Sequence, residues 1–472
     1  MPIFLYNTLV KTNQEFKPLH DGKVLMYNCG PTVYSHPHIG NFRSFLFADT
    51  LRRCLEFKGF AVTQIMNITD VGHLLEDQDE GEDKMEMAAR REKKDPRQIA
   101  QFYTDEFMEI TGLLNCLPAS KYPRATEHIN EMIELIQKLI GRGYAYVVNN
   151  AVYYDITKFP GYGKLSGNPL DQLQAGARIE VHPDKKNPMD FALWKHDPKH
   201  AMQWDSPWGK GFPGWHIECS AMSAKYLGET FDIHTGGEDN IFPHHECEIA
   251  QSEGASGKKF VNYWMHVRHL LVDNEKMSKS KGNFYTIKDI LNKGFSPMAL
   301  RYLLTSTHYR QPLNFTLESL GAAQTAVQRL LDFRARLQEQ ALPAPDGQPG
   351  AETISCVIDN AITKFENAMD DDLNISEALA AVFDFMREAN KLSLDKTGSA
   401  RLLATFDRFN VVMGLKIEEK GLLDSEIEGL IRQRNEARKN KDFAAADKIR
   451  NDLKSKGIVI EDTPQGMRWK KI

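Results

Sequence analysis

Apolar residues near the start of the chain change their spacing at one short polar segment. Val24 to Tyr27 form a continuous apolar run of strand length, whereas apolar residues from Phe42 to Leu55 recur at helical spacing. Residues 28–41, between them, contain a thiol and two imidazoles. The pattern predicts a strand, a loop and a helix. In α/β sheets ligands bind at such a junction, because the first N–H groups of the helix face an anion there.

Similar patterns predict further strands of the same parallel sheet. The apolar run 60–68 ends in Thr69 and Asp70, and the run 231–234 is followed by a polar, glycine-containing segment. Residues 261–271 are rich in aromatic and β-branched side chains, which favour strands. Polar residues therefore stand at the carboxyl ends of predicted strands.

The rest of the chain has a different pattern. Between about 120 and 200, a helix at 127–142 precedes two short strand patterns on either side of Asn149-Asn150, which is a hairpin signal within a small insertion. From about 287 to 420 helical periodicity dominates, with one Pro- and Gly-rich break at 342–350. The last segment predicts two helices and a hairpin.

The bulk composition is that of an ordinary globular protein, with 42% hydrophobic and 26% charged residues among 472. No run approaches the about 18 apolar residues of a membrane helix, and no basic segment precedes an apolar core at the N-terminus. We therefore expect neither a membrane span nor a secretory signal. The six cysteines form no C-x-x-C pair, which indicates a reducing cytoplasm.

Charge is distributed unevenly along the chain. Residues 429–472 contain 12 Lys and Arg against 6 Asp and Glu, whereas the whole chain carries a net charge of −5. The remainder is therefore acidic. An acidic body with a basic tail indicates that a polyanion would contact the tail and local patches, not the whole surface.

Three separated segments contain side chains that bind transition metals. Cys29 lies in the first loop, Cys219 follows a Gly- and Pro-rich run, and His244 and Glu248 would share one helix face because they are four residues apart. Together they offer the about four N, S or O donors that a Zn2+ site needs. Spacing alone leaves open both an ordinary polar helix start and three further donors, namely His245, Glu246 and Cys247.

A basic loop, KMSKSKGN, follows at residues 276–283. Its cations, hydroxyls and flexible glycine together suit a mobile clamp over a polyphosphate, where they would stabilise the charge that develops as pyrophosphate leaves. A lysine-rich loop on its own is also common on solvated surfaces. The interpretation therefore depends on a second motif.

The second motif is His38-Ile39-Gly40-Asn41, which resembles the HIGH signature of class I aminoacyl-tRNA synthetases, and residues 276–280 match their KMSKS signature. Neighbouring segments narrow the resemblance to the cysteinyl-tRNA synthetase family, and the likeness spans almost the whole chain. The segments that carry it are residues 27–34, 214–222, 242–246, 262–266, 368–374 and 464–466.

The resemblance implies a role for each motif. The family's zinc ligands fall on Cys29, Cys219, His244 and Glu248, which implies one zinc ion per chain. Thr69 and Trp215 are implied to line the cysteine pocket. The residues implied to contact ATP and its Mg2+ are His38, Gly40, Asn41, Gly236, Gly237, Lys276 and Lys279. Among them His38 and the two lysines are the implied catalytic residues, and Asn41 stands where the signature has a second histidine.

The resemblance also implies a fold and a division into domains. The fold is a Rossmann-like α/β catalytic domain with a parallel sheet and a small insertion, followed by an α-helical bundle and a small C-terminal α/β module that binds the anticodon. We expect the first half of the catalytic domain at 1–119, a connective insertion at 120–204, the second half at 205–270, a stem-contact region with the KMSKS loop at 271–315, the helical bundle at 316–420, and the anticodon-binding module at 421–472.

The activity implied is the ligation of cysteine to tRNA. L-Cysteine and ATP would form cysteinyl-adenylate and pyrophosphate, and the cysteinyl group would move to the 3′ end of tRNA(Cys). A zinc-bound substrate thiolate would select cysteine over serine, because zinc binds sulfur better than a hydroxyl. Two rival activities are a ligase that joins cysteine to an amino-sugar on the same core, and an inactive RNA-binding paralogue. We expect a cytoplasmic monomer that does not bind membranes.

Overall fold

The strand Lys23–Asn28 occupies an interior position in a four-stranded parallel sheet. Val24 and Met26 pack into one apolar cluster and Tyr27 into another, so both faces of the sheet are covered. Across the sheet the strands follow the order Val261–Val267, Phe231–Gly237, Lys23–Asn28 and Ala61–Met66. The predicted parallel α/β sheet is confirmed.

The computed structural model divides the chain into two compact units, residues 1–415 and 416–472. Within the parts of the chain that the structure describes, no helix combines the length and apolar content needed to cross a membrane. The described residues are 2–72, 82–168, 183–278, 281–340, 351–416, 425–439, 442–455, 458–463 and 466–471.

Helix Ile39–Phe57 follows strand Lys23–Asn28, as the apolar spacing predicts, and packs against the neighbouring strands Ala61–Met66 and Phe231–Gly237. Helix Pro96–Leu113 begins at Pro96, because Asp95 caps it and proline at the first position has no N–H to leave unpaired. The other α-helices in the described residues of the first unit are Lys84–Glu92, Ile129–Gly141, Trp215–Leu227, Glu246–Ser256, Ile287–Asn292, Pro297–Ser306, Leu317–Gln340, Ala351–Asp370, Ile375–Ala389 and Lys396–Met413.

The segment 242–252 differs from the single helix that its pattern predicts. An α-helix covers Glu246–Ser256, but Ile241–His245 form a wider π-type turn in which Phe242 has an extended backbone, with φ −141° and ψ 133°. His244 therefore precedes the regular helix that contains Glu248.

The insertion contains the predicted hairpin, with strands Ala145–Val148 and Ala151–Tyr154. Asn149 and Asn150 both have positive φ, the conformation that a two-residue hairpin turn of this hand requires. Two further antiparallel strands, Phe191–Lys195 and Phe212–Pro213, extend the hairpin to a four-stranded sheet. The sequence pattern missed them because they are short and far from the hairpin along the chain.

Other short strands complete the first unit. Phe4–Asn7 pairs with Thr12–Glu15, and Leu270–Val272 lies between Glu275–Lys276 and Leu313–Phe315.

The second unit has the predicted elements, two helices and a hairpin. The helices are Ser425–Lys439 and Phe443–Ser455, and the hairpin strands are Ile458–Thr463 and Gly466–Lys471.

A buried ion pair joins the first helix of the sheet domain to the helices that follow it. Arg301 is fully buried, lies 2.5 Å from Asp49 Oδ2, and donates to the carbonyls of Leu114 and Met413 at 2.9 Å. Burial alone raises the pKa of Asp49, but the positive charges of Arg301 and Arg53 outweigh it and hold that pKa below its usual value. The carboxylate is therefore charged at neutral pH.

His200 links the insertion to the start of helix Lys84–Glu92. Its ring stacks on Phe212 at 3.8 Å between centroids, and its Nε2 lies 3.4 Å from the buried Oδ2 of Asp83. Burial alone lowers the pKa of His200, but the hydrogen bond and charge of Asp83 outweigh it and raise that pKa above 6.5. The imidazolium form is the one that stabilises this contact.

We expect this contact to make stability depend on pH. A histidine whose pKa is raised on folding stabilises the protein fully below its unfolded pKa of about 6.5, and the stabilisation is lost as pH rises through the folded pKa. The difference in thermal unfolding midpoint between wild type and His200→Gln should therefore be largest near pH 6 and shrink by pH 9. The exposed His196 is a control, and His196→Gln should leave the pH profile unchanged. A difference that grows with pH would contradict the assignment.

Candidate functional site

Cys29 leaves the strand Lys23–Asn28 at the carboxyl edge of the sheet, where its N–H donates to the carbonyl of Thr235 at 3.1 Å. The next residue, Gly30, has room for no side chain, since an added Cβ would lie 1.7 Å from the carbonyl oxygen of Asn67. The Gly30 N–H donates to Asn67 Oδ1 at 2.9 Å. This close backbone approach holds the thiol against the ends of the neighbouring strands.

The four predicted zinc ligands meet at this edge. The Sγ atoms of Cys29 and Cys219, a ring nitrogen of His244 and a carboxylate oxygen of Glu248 all lie within 4.8 Å of one another. His244 Nε2 is 3.0 Å from Glu248 Oε1 and 3.5 Å from Cys219 Sγ, and Cys29 Sγ is 3.9 Å from the same carboxylate oxygen. Three separate segments of the chain supply these donors.

A second set of donors overlaps the first. This second set consists of Cys29, His234, His245 and Glu248. One ligand atom from each residue lies within 4.8 Å of the other three. His245 Nε2 lies 3.1 Å from Cys29 Sγ, and His234 Nε2 lies 2.8 Å from Glu248 Oε2. His245 therefore has the position of a possible donor, as spacing left open.

Glu246 and Cys247, which spacing also left open as donors, point away from the cluster. Cys247 Sγ lies 3.5 Å from the hydroxyl of Tyr162, and Glu246 Oε2 accepts a hydrogen bond from the N–H of Ser166 at 2.9 Å. Neither residue belongs to a donor set among the described residues.

Buried charges dominate the electrostatics of the site. Burial alone raises the pKa of Glu248, but the positive charges of His234 and His244 outweigh it and lower that pKa to about 2. Burial alone lowers the pKa of His244, but the negative charge of Glu248 and the neighbouring Cys219 sulfur outweigh it and raise that pKa to about 10. A metal bound here would release protons from the two thiols and from His244, because zinc binds thiolate, neutral imidazole and carboxylate.

The donors fit a transition metal. Zinc takes four such ligands at about 2.0–2.3 Å in tetrahedral geometry, and two thiols, an imidazole and a carboxylate are the residue types that it binds. The cluster is almost wholly buried, with Cys219 1%, His244 2% and Glu248 0% exposed.

Of the two residues predicted for the amino-acid pocket, Trp215 contacts the donor cluster directly and Thr69 contacts Glu218, the residue before Cys219. Trp215 stacks on His244 with 4.3 Å between ring centroids, and the Thr69 hydroxyl donates to Glu218 Oε2 at 2.9 Å. Glu218 itself was not predicted. It is fully buried, and burial raises its pKa well above the usual value. A carboxylate directly between Ile217 and Cys219, early in helix Trp215–Leu227, is the signal that would have found it.

His38 and Asn41 together cap helix Ile39–Phe57. The Asn41 N–H donates to His38 Nδ1 at 3.3 Å, and the His38 N–H donates to Asn41 Oδ1 at 3.4 Å. This reciprocal pair is a capping box, in which two otherwise unpaired N–H groups are satisfied. Asn41 therefore has a structural role that a family signature does not reveal.

The HIGH segment is joined to the chain that follows the KMSKS loop. The N–H of Ile39 donates to the carbonyl of Tyr285 at 3.1 Å, and the N–H of Ile287 lies 3.4 Å from the carbonyl of Pro37. An added Cβ on Gly40 would lie 3.3 Å from Cε of Met277, inside the KMSKS loop. The structure thus brings the two motifs together.

Lys276 ends the short strand Glu275–Lys276, whereas Lys279 lies outside the described residues.

Gly236 and Gly237 end strand Phe231–Gly237 on the same edge of the sheet. An added Cβ on Gly236 would lie 2.7 Å from the His245 ring, and one on Gly237 would lie 3.6 Å from Ser44 Oγ in helix Ile39–Phe57. The glycine pair therefore connects the surroundings of the donor cluster with the helix that carries the HIGH segment.

Three family models match the chain in succession. The family described as tRNA synthetases class I (C) catalytic domain matches residues 15–325, the DALR domain matches residues 364–418, and the cysteinyl-tRNA ligase anticodon binding domain matches residues 420–469.

Two full-length relatives and two solved structures agree with these matches. The chain is 48% identical to a cysteine–tRNA ligase of Geobacillus thermodenitrificans, with 99% of each chain covered, and 45% identical to one of Clostridioides difficile, with 99% of this chain and 100% of the relative covered. A Mycobacterium tuberculosis methionyl-tRNA synthetase bound by methionyl-adenylate has a TM-score of 0.59 at 14% identity, covering 90% of this chain and 96% of its own. A LeuRS of Agrobacterium radiobacter K84 also has a TM-score of 0.59 at 14% identity, covering 84% and 85%. The solved structures show the likeness of fold alone.

Proposed function

The chain belongs to the cysteine–tRNA ligases, a class I aminoacyl-tRNA synthetase family, and we propose that the residues at the carboxyl edge of its sheet carry out the reaction. L-Cysteine and ATP form cysteinyl-adenylate and pyrophosphate, and the cysteinyl group then passes to tRNA(Cys). No protein nucleophile is needed, because the amino-acid carboxylate attacks the α-phosphate. The enzyme supplies positioning and charge stabilisation.

For ATP, the proposed contacts are His38 and the backbone around Gly40 and Gly236-Gly237. The first turn of helix Ile39–Phe57 carries the positive end of the helix dipole, which favours phosphate oxygens. We place Lys276 and Lys279 on the β- and γ-phosphates, together with Mg2+, because the KMSKS loop touches Gly40 through Met277. Asn41 contributes by holding the start of the helix in shape.

For cysteine, the proposed pocket is formed by Thr69 and Trp215 beside a zinc ion held by Cys29, Cys219, His244 and Glu248. When bound there, zinc supplies a soft Lewis acid that favours a thiolate over a hydroxyl, which distinguishes cysteine from serine. The support for this ligand set is the clustering of its four donors within 4.8 Å. His234 and His245 then serve as supports that hydrogen-bond the ligands, a role that orients metal ligands in many sites.

For tRNA, the proposed contact outside the catalytic centre is the module at 421–472, which we assign to the anticodon. Its support is the match of residues 420–469 to an anticodon-binding family and the excess of Lys and Arg over residues 429–472. A monomeric, cytoplasmic enzyme remains our prediction.

The zinc assignment predicts which variants lose the metal. Cys219→Ala and His244→Gln should each purify with little or no zinc, because each removes one of the four protein donors that hold it. His245→Gln should retain about one zinc per chain if His245 only supports the ligands. Elemental analysis of each purified variant, with circular dichroism as a check on folding, measures this directly.

The exposed thiol of Cys356 provides the matched control, since Cys356→Ala removes a cysteine far from the cluster and should keep its zinc. Stoichiometric zinc in Cys219→Ala together with loss in His245→Gln would favour the second donor set instead.

The KMSKS assignment predicts a kinetic signature. Lys279→Ala should lower kcat for cysteine-dependent ATP–pyrophosphate exchange by about 10²–10³-fold, the usual loss when one donor to developing charge is removed. KM for cysteine should stay unchanged, because the lysine acts on the transition state and not on the amino acid. Lys281→Ala is the control, since Lys281 is exposed and lies 2.8 Å from Glu275. Equal kcat in Lys279→Ala and wild type would remove the lysine from the mechanism.

The assignment of residues 421–472 to the anticodon predicts that cysteine activation by ATP can proceed without this module, whereas transfer of cysteine to tRNA cannot. A chain that ends at residue 420 should retain cysteine-dependent pyrophosphate exchange and lose the charging of tRNA(Cys), because the two units are compact on their own. Undiminished charging would contradict the anticodon role. Charging of tRNA by the full chain also excludes the amino-sugar ligase and the inactive paralogue.

A further inference from the structure

Glu106 is a buried carboxylate for which the proposed chemistry has no direct use. It lies in helix Pro96–Leu113 and is 4% exposed. Its Oε2 accepts a hydrogen bond from His36 Nδ1 at 2.7 Å, and its Oε1 lies 2.9 Å from the ammonium nitrogen of Lys288. One side chain thus binds two partners that are far apart in the sequence.

The two partners flank the two signature motifs. His36 stands two residues before His38, and Lys288 lies in the first turn of helix Ile287–Asn292, directly after the KMSKS loop. Both partner side chains are about half exposed, at 50% and 46%, whereas that of Glu106 is only 3% exposed. The carboxylate is therefore the fixed end of both contacts.

The backbone joins the same two segments on the other side. Residues Pro37 and Ile39 exchange hydrogen bonds with Tyr285 and Ile287, and His38 bridges to Thr286. Glu106 adds a side-chain brace to this backbone joint. Its helix is anchored in the core, where Tyr103, Phe107 and Ile110 are 0–2% exposed.

Because Glu106 is buried, its contacts with His36 and Lys288 favour one arrangement of the two segments. A carboxylate taken out of water is costly unless charged or hydrogen-bonding partners compensate it, so Glu106 favours the arrangement in which both His36 and Lys288 reach it. Movement of either segment would leave the carboxylate with one partner. The free-energy cost of losing a partner therefore opposes changes in the relative position of the HIGH and KMSKS segments. It does not involve the zinc cluster.

We propose that Glu106 is a positioning residue that holds the HIGH segment and the flank of the KMSKS loop in the relative geometry needed for adenylate formation. This inference rests on the proposed roles of His38, Lys276 and Lys279. We assign Glu106 no direct contact with either substrate, and its effect passes through His36 and Lys288.

The test is the variant Glu106→Gln in the full chain, which keeps the volume and removes the charge. We expect kcat for cysteine-dependent ATP–pyrophosphate exchange to fall about 10- to 100-fold, the scale of loss when reacting groups shift by about 1 Å. KM for ATP should rise, while KM for cysteine and the zinc content should stay at wild-type values. A purely structural role would not divide the two substrates in this way.

Glu109 offers a matched control one turn along the same helix. Its side chain is 61% exposed and lies 3.9 Å from the same lysine. Glu109→Gln should therefore keep wild-type kinetics within about twofold, because exposed ion pairs contribute little.

The partners provide a second, independent test. His36→Gln and Lys288→Met change half-exposed side chains, and each should lower kcat without lowering the thermal unfolding midpoint. Combined with Glu106→Gln, each should give less than the product of the single effects, because residues in one network are not additive. If Glu106→Gln fails to fold, Lys288→Met alone decides the matter, and a wild-type kcat in that variant overturns the inference.

The outcomes separate this inference from the proposed function. A wild-type protein without cysteine-dependent exchange contradicts the proposed function itself. An active wild type with an equally active Glu106→Gln variant overturns only the inference about Glu106. Parallel loss of ATP affinity, cysteine affinity and zinc in Glu106→Gln would also overturn it, since that pattern indicates general disruption.

Discussion

The parallel arrangement of four strands is the constraint on which the site depends. Strands that run in the same direction place their carboxyl ends along one edge of the sheet, so residues that follow different strands become neighbours. Cys29, Thr69 and Gly236 reach this edge from three strands, and helix Trp215–Leu227 adds Cys219. The register of the sheet, with Asn28 opposite both Met66 and Thr235, sets how closely they approach.

Buried charged and neutral side chains then orient the donor residues that meet at this edge of the sheet. Glu248 is fully buried and keeps its charge because His234 and His244 lie at 2.8 and 3.0 Å. A second layer of histidines follows, in which His245 Nδ1 lies 2.7 Å from His266 Nε2, and burial lowers the pKa of His266 to about 3. Neutral outer histidines around a charged carboxylate orient the donors without adding positive charge beside a cation.

The segments proposed to contact ATP are positioned mainly by backbone hydrogen bonds. The HIGH segment begins a helix through a capping box, and it pairs with the chain after the KMSKS loop by hydrogen bonds at 3.1 and 3.4 Å. Both motifs therefore have a structural function as well as the chemical one proposed for them. Asn41 shows the structural function most clearly. Its amide side chain caps the helix at the position where the family signature has an imidazole.

The sequence by itself determined the strands of the parallel sheet, the helix that follows its first strand, the two signature motifs and the residue types of a metal site, because these follow from periodicity and local chemistry. Tertiary structure decided which donors meet. Cys247 and His244 lie three residues apart, yet only His244 faces Cys219, while Cys247 faces Tyr162. Glu106 and Glu218 gained their importance only from burial and from partners far along the chain. Side-chain direction and long-range distance depend on packing against distant segments, and a local pattern contains neither.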